Sequence, residues 1–266
     1  FLKIFYLRKS KYYWNIRQVV PNFAFEKKTT KLIFFICKFF SFLPNKIIYN
    51  SISAKNEHIS SGFKNKESIY IPNGFEEPEY TNKISPKILN KIKNKFIVSL
   101  FARYHLSKGH DIFLESIKNI KYKNMFFLLA GKNVNYDNKK LINLININNI
   151  HSKVLLLDEI SNVNDYLKYV DLLVNCSSSS EGFPNILGEA IMNDCICVAS
   201  NISDNKKILK NKNLIINKLT SQEISNKIEE IYNFNEEEKI KIKNDLKKNF
   251  INNYSIKNIA KMYNNL

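Results

Sequence analysis

Long apolar runs are scarce in this chain of 266 residues. The longest, residues 32–43, is about a dozen residues and is interrupted by Lys38, whereas a helix needs roughly 20 apolar residues to cross a bilayer. No membrane span is therefore expected. The four cysteines (Cys37, Cys176, Cys195, Cys197) lack the paired spacing of a zinc site. The four histidines (His58, His105, His110, His151) stand apart, with no two-histidine helical spacing and no clustered acids. No Asp-x-Asp occurs. A structural or catalytic metal is not expected, and the cysteines read as reduced thiols of a cytosolic core, three of them in apolar runs that look like buried strands. The chain opens on Phe1-Leu2-Lys3-Ile4-Phe5 with neither an initiator Met nor a secretory pattern, and it reads as a fragment.

What is present is a globular composition, 44% hydrophobic and 13% aromatic, enough for one large core or two modest ones. The formal charge of +17 raises the question of nucleic acid, because lysines and arginines that neutralise phosphates are the general route to such binding. The lysines are scattered through the whole chain, however, and no aromatic and basic platform accompanies them. A solvated basic surface, or a face that docks peripherally on anionic membrane, fits the distribution better.

From residue 95 onward, short apolar runs alternate with amphipathic stretches. Strands are expected at 95–101, 125–130, 154–157, 171–176, 195–200 and 214–216, with helices near 108–121, 138–149, 164–169, 185–193, 204–209 and 221–232. Strands that are apolar throughout and separated by helices indicate a parallel sheet covered on both faces, a doubly wound α/β domain whose ligands bind at the carboxyl ends of its strands. Residues 1–80 carry strands at 12–16, 46–50 and 68–71 and helices at 25–42 and 54–61, the later part of another α/β domain. Pro72-Asn73-Gly74 is a turn signal, and 81–94, within the polar stretch 76–94, reads as an interdomain linker. The second domain is expected to run over 95–252, with a helix at 236–252; a last helix within 253–266 is amphipathic enough to pack back on the first domain.

The segment Cys176-Ser-Ser-Ser-Ser-Glu181-Gly182-Phe183-Pro184-Asn185-Ile186-Leu187-Gly188-Glu189-Ala190 carries the most information. A strand ends, a polar loop follows, and Pro184 stands where the first helical position is expected, a place that tolerates its missing N–H. A helix start offers unpaired N–H groups and the positive end of a dipole, which suits phosphate. Gly182 allows close backbone approach. Asn185 and Glu189, four apart, share a face, and a carboxylate there can accept hydrogen bonds from both hydroxyls of a ribose. Spacing alone equally allows an ordinary loop acid and an exposed helical glutamate. Arg103 and Lys108 follow the strand at 95–101 and emerge on the same rim; two cations there can offset charge on a departing diphosphate, the task of a divalent metal in Asp-x-Asp enzymes. Taken alone they also read as solvated surface charges.

Together, Arg103…Lys108-Gly109 and Ser178-Ser-Ser-Glu181-Gly182-Phe183-Pro184-Asn185…Glu189-Ala190 resemble glycosyltransferase family 4 of the GT-B fold, with its E-x7-E motif. Upstream, Asn50-Ser51…Ala54…His58…Gly62-Phe63 and Ile71-Pro72-Asn73-Gly74-Phe75 look like the end of that family's first domain. The resemblance implies two Rossmann-like domains, the first incomplete here, and transfer of a sugar from a nucleotide-diphosphate donor to a glycan or lipid-linked acceptor, with retention, without metal or cofactor, in the cytoplasm or at the inner face of its membrane. By position, Arg103 and Lys108 would bind the diphosphate, Glu181 the sugar and its phosphate side, and Glu189 the ribose. Backbone amides of Gly182, Phe183 and Asn185 beside Pro184 would line the pyrophosphate, and Glu159 and Ile160 would meet the base. Arg17, in Trp14-Asn15-Ile16-Arg17, is expected either to touch the donor sugar or acceptor, or to cap its strand. The turn Met192-Asn193-Asp194-Cys195 and Lys207 depart from the family pattern. A non-catalytic nucleotide-sugar-binding or scaffold protein of the same fold is the alternative.

Overall fold

A computed structural model of the chain describes residues 11–21, 23, 27–64, 67–179 and 181–266. The opening residues, the expected helix start at Phe25, and Ser180 of the serine run lie outside this set.

Two parallel sheets organise the molecule. The first is three-stranded, in the order β1 (Tyr13–Ile16), β2 (Lys46–Tyr49), β3 (Ser68–Tyr70). Helix α1 (Lys28–Phe39) connects β1 to β2, and α2 (Ile52–Ser60) connects β2 to β3. The helix expected at 54–61 starts two residues early because the Ser51 hydroxyl accepts the Ala54 N–H (3.0 Å), satisfying one of the donors a helix start leaves unpaired. Helix α1 turns Phe34 inward onto Ile47, Tyr49, Ala54 and Phe63, while Leu32, Ile33, Phe35, Ile36 and Phe39 are exposed.

The segment expected as a plain linker contains a helix, α3 (Pro86–Ile92), with Pro86 in its first turn. Its polar composition concealed this: Ile92 alone is buried, and it joins the second core. There follow β4 (Phe96–Phe101), a 3₁₀ turn (Leu106–Lys108), α4 (His110–Asn119), β5 (Met125–Ala130), α5 (Lys139–Asn148), β6 (Val154–Leu156), α6 (Asn164–Leu167) and β7 (Leu172–Asn175). Next come α7 (Asn185–Met192), β8 (Ile196–Ser200), α8 (Asn205–Leu209), β9 (Ile215–Ile216), α9 (Ser221–Asn233), α10 (Glu236–Tyr254) and α11 (Ile256–Asn264). The six strands run parallel in the order β6-β5-β4-β7-β8-β9. The chain winds outward from β4 through β5 to β6, then returns to the other side of β4 to place β7. The carboxyl ends of β4 and β7 are thus the point where winding reverses, and a crevice opens there in such sheets. β5 is buried along its whole length, as an interior parallel strand requires.

Cys176, Cys195 and Cys197 are buried free thiols in or beside β7 and β8, and burial pushes each up from its ordinary pKa. The chain crosses itself where the domains meet. Phe75 N–H donates to the Tyr254 carbonyl (2.9 Å), Ile256 N–H donates to the Phe75 carbonyl (2.8 Å), and Ile259 of α11 packs with Ile48 and Ile71 of the first sheet. No described helix is long and apolar enough to cross a membrane.

Candidate active site

The loop after β4 and the loop after β7 are locked together. Gly109 has φ +70°, and a Cβ on it would lie 2.3 Å from the Cys176 carbonyl oxygen, so only glycine allows this approach. The Ser178 N–H donates to the Ser107 carbonyl (2.8 Å), and the His105 ring caps the 3₁₀ turn by accepting the Ser107 N–H (3.2 Å). Lys108 therefore belongs to this turn, and the helix expected from 108 begins at His110 instead. His110 is buried against Tyr104, and burial pushes its imidazole down to about 4, so it brings no cation to the site at neutral pH.

This lock sets Lys108 Nζ in an ion pair with Glu181 Oε1, which also accepts the Ser177 hydroxyl (2.6 Å). Glu181 is only 8% exposed. Its Oε2 has no hydrogen-bond partner among the described residues, and neither has the Arg103 guanidinium. The Ser203 hydroxyl holds the loop from below, donating to the carbonyls of Glu181 (2.6 Å) and Gly182 (3.0 Å). Arg103, Lys108, Glu181, Phe183, Pro184 and Asn185 all line one cavity of about 350 Å³ over the ends of β4 and β7.

Pro184 is the N-cap of α7 rather than its first helical residue. The backbone N–H groups of Gly182, Phe183 and Asn185 lack hydrogen-bond partners among the described residues. Gly182 itself does not line the cavity. A Cβ there would meet the Arg17 carbonyl at 2.7 Å and Asn50 Oδ1 at 2.9 Å, so its bare Cα serves contact between the two domains. Phe183 packs edge-on against Tyr254 and tilted against Phe75, anchoring the loop at the chain crossing.

Glu189 lies outside that group. It lines a larger interdomain cavity of about 850 Å³, shared with Arg17, Asn73 and Asn164, and Asn185 borders both cavities. Burial raises the Glu189 carboxyl above its ordinary pKa. No described donor reaches that carboxylate, which leaves both oxygens open to hydroxyls. Asn73, read from sequence only as a turn residue, connects the domains: it accepts from Arg17 Nη2 (2.8 Å) and donates to Asn185 Oδ1 (2.5 Å). Its place in Pro72-Asn73-Gly74 was the available signal. Glu159 and Ile160 line neither cavity; Glu159 is exposed and Ile160 packs against the large core.

Asp204 was also missed. Its buried carboxylate reaches across the domain boundary to the start of α2, accepting from Ile52 N (2.7 Å), Ser53 N (3.2 Å) and Ser53 Oγ (2.9 Å). A carboxylate at a helix N-terminus offsets the positive end of its dipole.

Two basic side chains, a carboxylate and a helix start thus meet at the winding-reversal point, and the backbone around them has the GT-B fold: HepE from Anabaena, solved in complex with UDP and glucose, superposes with a TM-score of 0.81 over 95% of this chain and 70% of that one, at 18% identity. The family of glycosyl transferases group 1 matches residues 81–251, and the chain belongs to that family. It is 29% identical over 186 residues to the capsular polysaccharide biosynthesis glycosyltransferase CapH of Staphylococcus aureus, a match covering 68% of this chain and 49% of the relative. It is 27% identical over 213 residues to the UDP-Gal:alpha-D-GlcNAc-diphosphoundecaprenol alpha-1,3-galactosyltransferase of Escherichia coli, covering 73% of this chain and 53% of the relative. The chain thus spans about half the length of these curated relatives.

Proposed function

We propose that the chain carries the donor site of a retaining, metal-independent glycosyltransferase that moves a sugar from a nucleotide-diphosphate donor to a glycan or lipid-linked acceptor. The observation that carries this reading is the meeting of Arg103, Lys108, Glu181 and the start of α7 in one cavity. Arg103 and Lys108 bind the diphosphate beside the open amides of Phe183 and Asn185, the two of the three expected amides whose residues line the cavity. Glu189, at the neighbouring cavity, takes the ribose hydroxyls. As the bond from the anomeric carbon to the phosphate oxygen breaks, negative charge grows on the leaving diphosphate, and the two cations offset it where a metal serves other transferases. Glu181 orients the sugar and, through Oε1, holds Lys108 on the phosphate side. In a front-face course the acceptor oxygen arrives on the side the diphosphate leaves, and the departing phosphate takes its proton, so configuration is retained.

The names of the relatives make a uridine diphosphate sugar the first donor to try. In the full-length enzyme, Lys108→Ala or Glu181→Ala should lower turnover roughly 100-fold, the scale of losing one preorganised transition-state contact. Turnover near wild type in both variants would refute the site. A peripheral contact with the anionic inner face of a membrane completes the proposal, supported by the exposed Leu32, Ile33, Phe35, Ile36 and Phe39 of α1 beside Lys28 and Lys31. Flotation with anionic vesicles, compared with neutral ones, measures it; equal recovery from both would remove this part.

A further inference from the structure

Glu181 lines a second cavity, of about 310 Å³, on the side of its loop that faces the first domain. Its other walls are Val19, Val20 and Glu57 from that domain and Ile202, Ser203 and Ser179 from the second. We infer that this cavity seats the acceptor's reactive sugar unit, with Glu57 as the residue that binds and orients its hydroxyls; the inference rests on the donor site proposed above.

Three features converge on it. First, a transferase must bring two substrates to one bond, and Glu181 is the residue shared by this cavity and the one that holds Arg103 and Lys108. Second, the two cavities have opposite chemistry. The first offers cations and helix N–H groups to an anion. The second offers two carboxylates, Glu57 and the shared Glu181, with two serines and aliphatic walls, which repel a diphosphate and suit a neutral polyhydroxyl ring, its hydroxyls donating to Glu57 and its C–H face lying on Val19, Val20 and Ile202. Third, Glu57 is held and yet available. Its Oε2 accepts the Val20 N–H (3.1 Å), which fixes the carboxylate against the cavity wall, while Oε1 has no hydrogen-bond partner among the described residues. Partial burial raises its carboxyl above the ordinary value, in keeping with a group that has lost some water and gained only one donor. The volume is at the low end for ligand sites, room for a single ring.

The donor's own sugar is the competing occupant, and kinetics separate the two. In the full-length enzyme, Glu57→Ala should raise the acceptor KM about tenfold or more, while donor affinity measured by calorimetry moves less than about twofold. Ile202→Trp, which fills the cavity from the second domain and leaves residue 57 a glutamate, should act in the same direction. Glu57→Gln keeps an oxygen for the Val20 N–H and should fall between wild type and Glu57→Ala, which distinguishes lost ligand contacts from a disturbed fold. An acceptor KM unchanged in both Glu57→Ala and Ile202→Trp overturns the inference, and so does a rise confined to donor affinity, which would give the cavity to the donor sugar. A wild-type enzyme that neither binds nor hydrolyses any nucleotide sugar would instead overturn the donor site, and this inference with it.

Discussion

The two sheets contribute to the candidate site on unequal terms. The six-stranded sheet has strands buried along their length, and a contiguous core runs from Ile92 to Tyr254. The three-stranded sheet is covered by a small cluster around Phe34, Ile47, Tyr49 and Phe63, and one whole side of α1 is left exposed. Among the described residues this sheet is also tied to its neighbour, through the Asp204 carboxylate, the close approach at Gly182, and Ile259. The difference teaches that the cavity of Arg103, Lys108 and Glu181 belongs to the unit with the larger core, whereas Arg17, Asn73 and Glu57 are only as well placed as the contacts between the domains.

The comparison can be broken most severely at Gly109. Gly109→Ala forces a left-handed backbone and a clash with the Cys176 carbonyl inside the stable unit. It should cost about 3 kcal/mol or more of unfolding free energy and abolish donor binding, read by denaturant titration and calorimetry together. Little change in either would mean that the two loops do not depend on this close approach.

Asp204→Ala tests the dependence of the first domain on the second. Losing the charged acceptor of three hydrogen bonds should cost about 2 kcal/mol. Hydrogen exchange should quicken in β2 and α2 while β4, β5 and β7 keep their protection. Uniform loss of protection in both sheets would contradict the asymmetry.

The smallest expected effect is at Glu189. Its folded pKa is raised by burial, so the protonated form is favoured in the folded state. The stability this group supports is therefore fully present below the ordinary carboxylate pKa and is lost as pH rises through the higher folded value. Glu189→Gln in the ligand-free protein should therefore match wild type in Tm at acidic pH and exceed it slightly at neutral pH, with weaker nucleotide binding throughout. A Tm difference that does not vary with pH would remove burial as the cause.

The second domain was legible in the sequence because parallel strands covered on both faces are apolar throughout, and runs such as Met125-Phe126-Phe127-Leu128-Leu129-Ala130 admit few other readings. Arg103, Lys108 and Glu181 were legible for a related reason: once strands are placed, their carboxyl ends are known. Three-dimensional packing decided the rest. The short helix α3 hid in a polar segment because only Ile92 is fully buried, with Ile88 and Leu89 packing part-buried beside it. Glu159 was carried over by position from the family pattern, yet its loop leaves it exposed and away from both cavities. Asn73 and Asp204 act across the domain boundary, and no local pattern of residue types encodes a partner more than a hundred residues distant.

The chain crossing at Phe75 and Ser255 bears on how the protein is made as well as how it moves. Ile259 completes a part of the first domain's interior that β2 and the end of β3 begin, although α11 is translated long after them. On the ribosome the first sheet therefore waits, partly uncovered, until the whole second domain has emerged and delivered that helix. In the finished molecule two segments of backbone pass side by side at one spot, so the two halves are joined there by two lengths of chain rather than one.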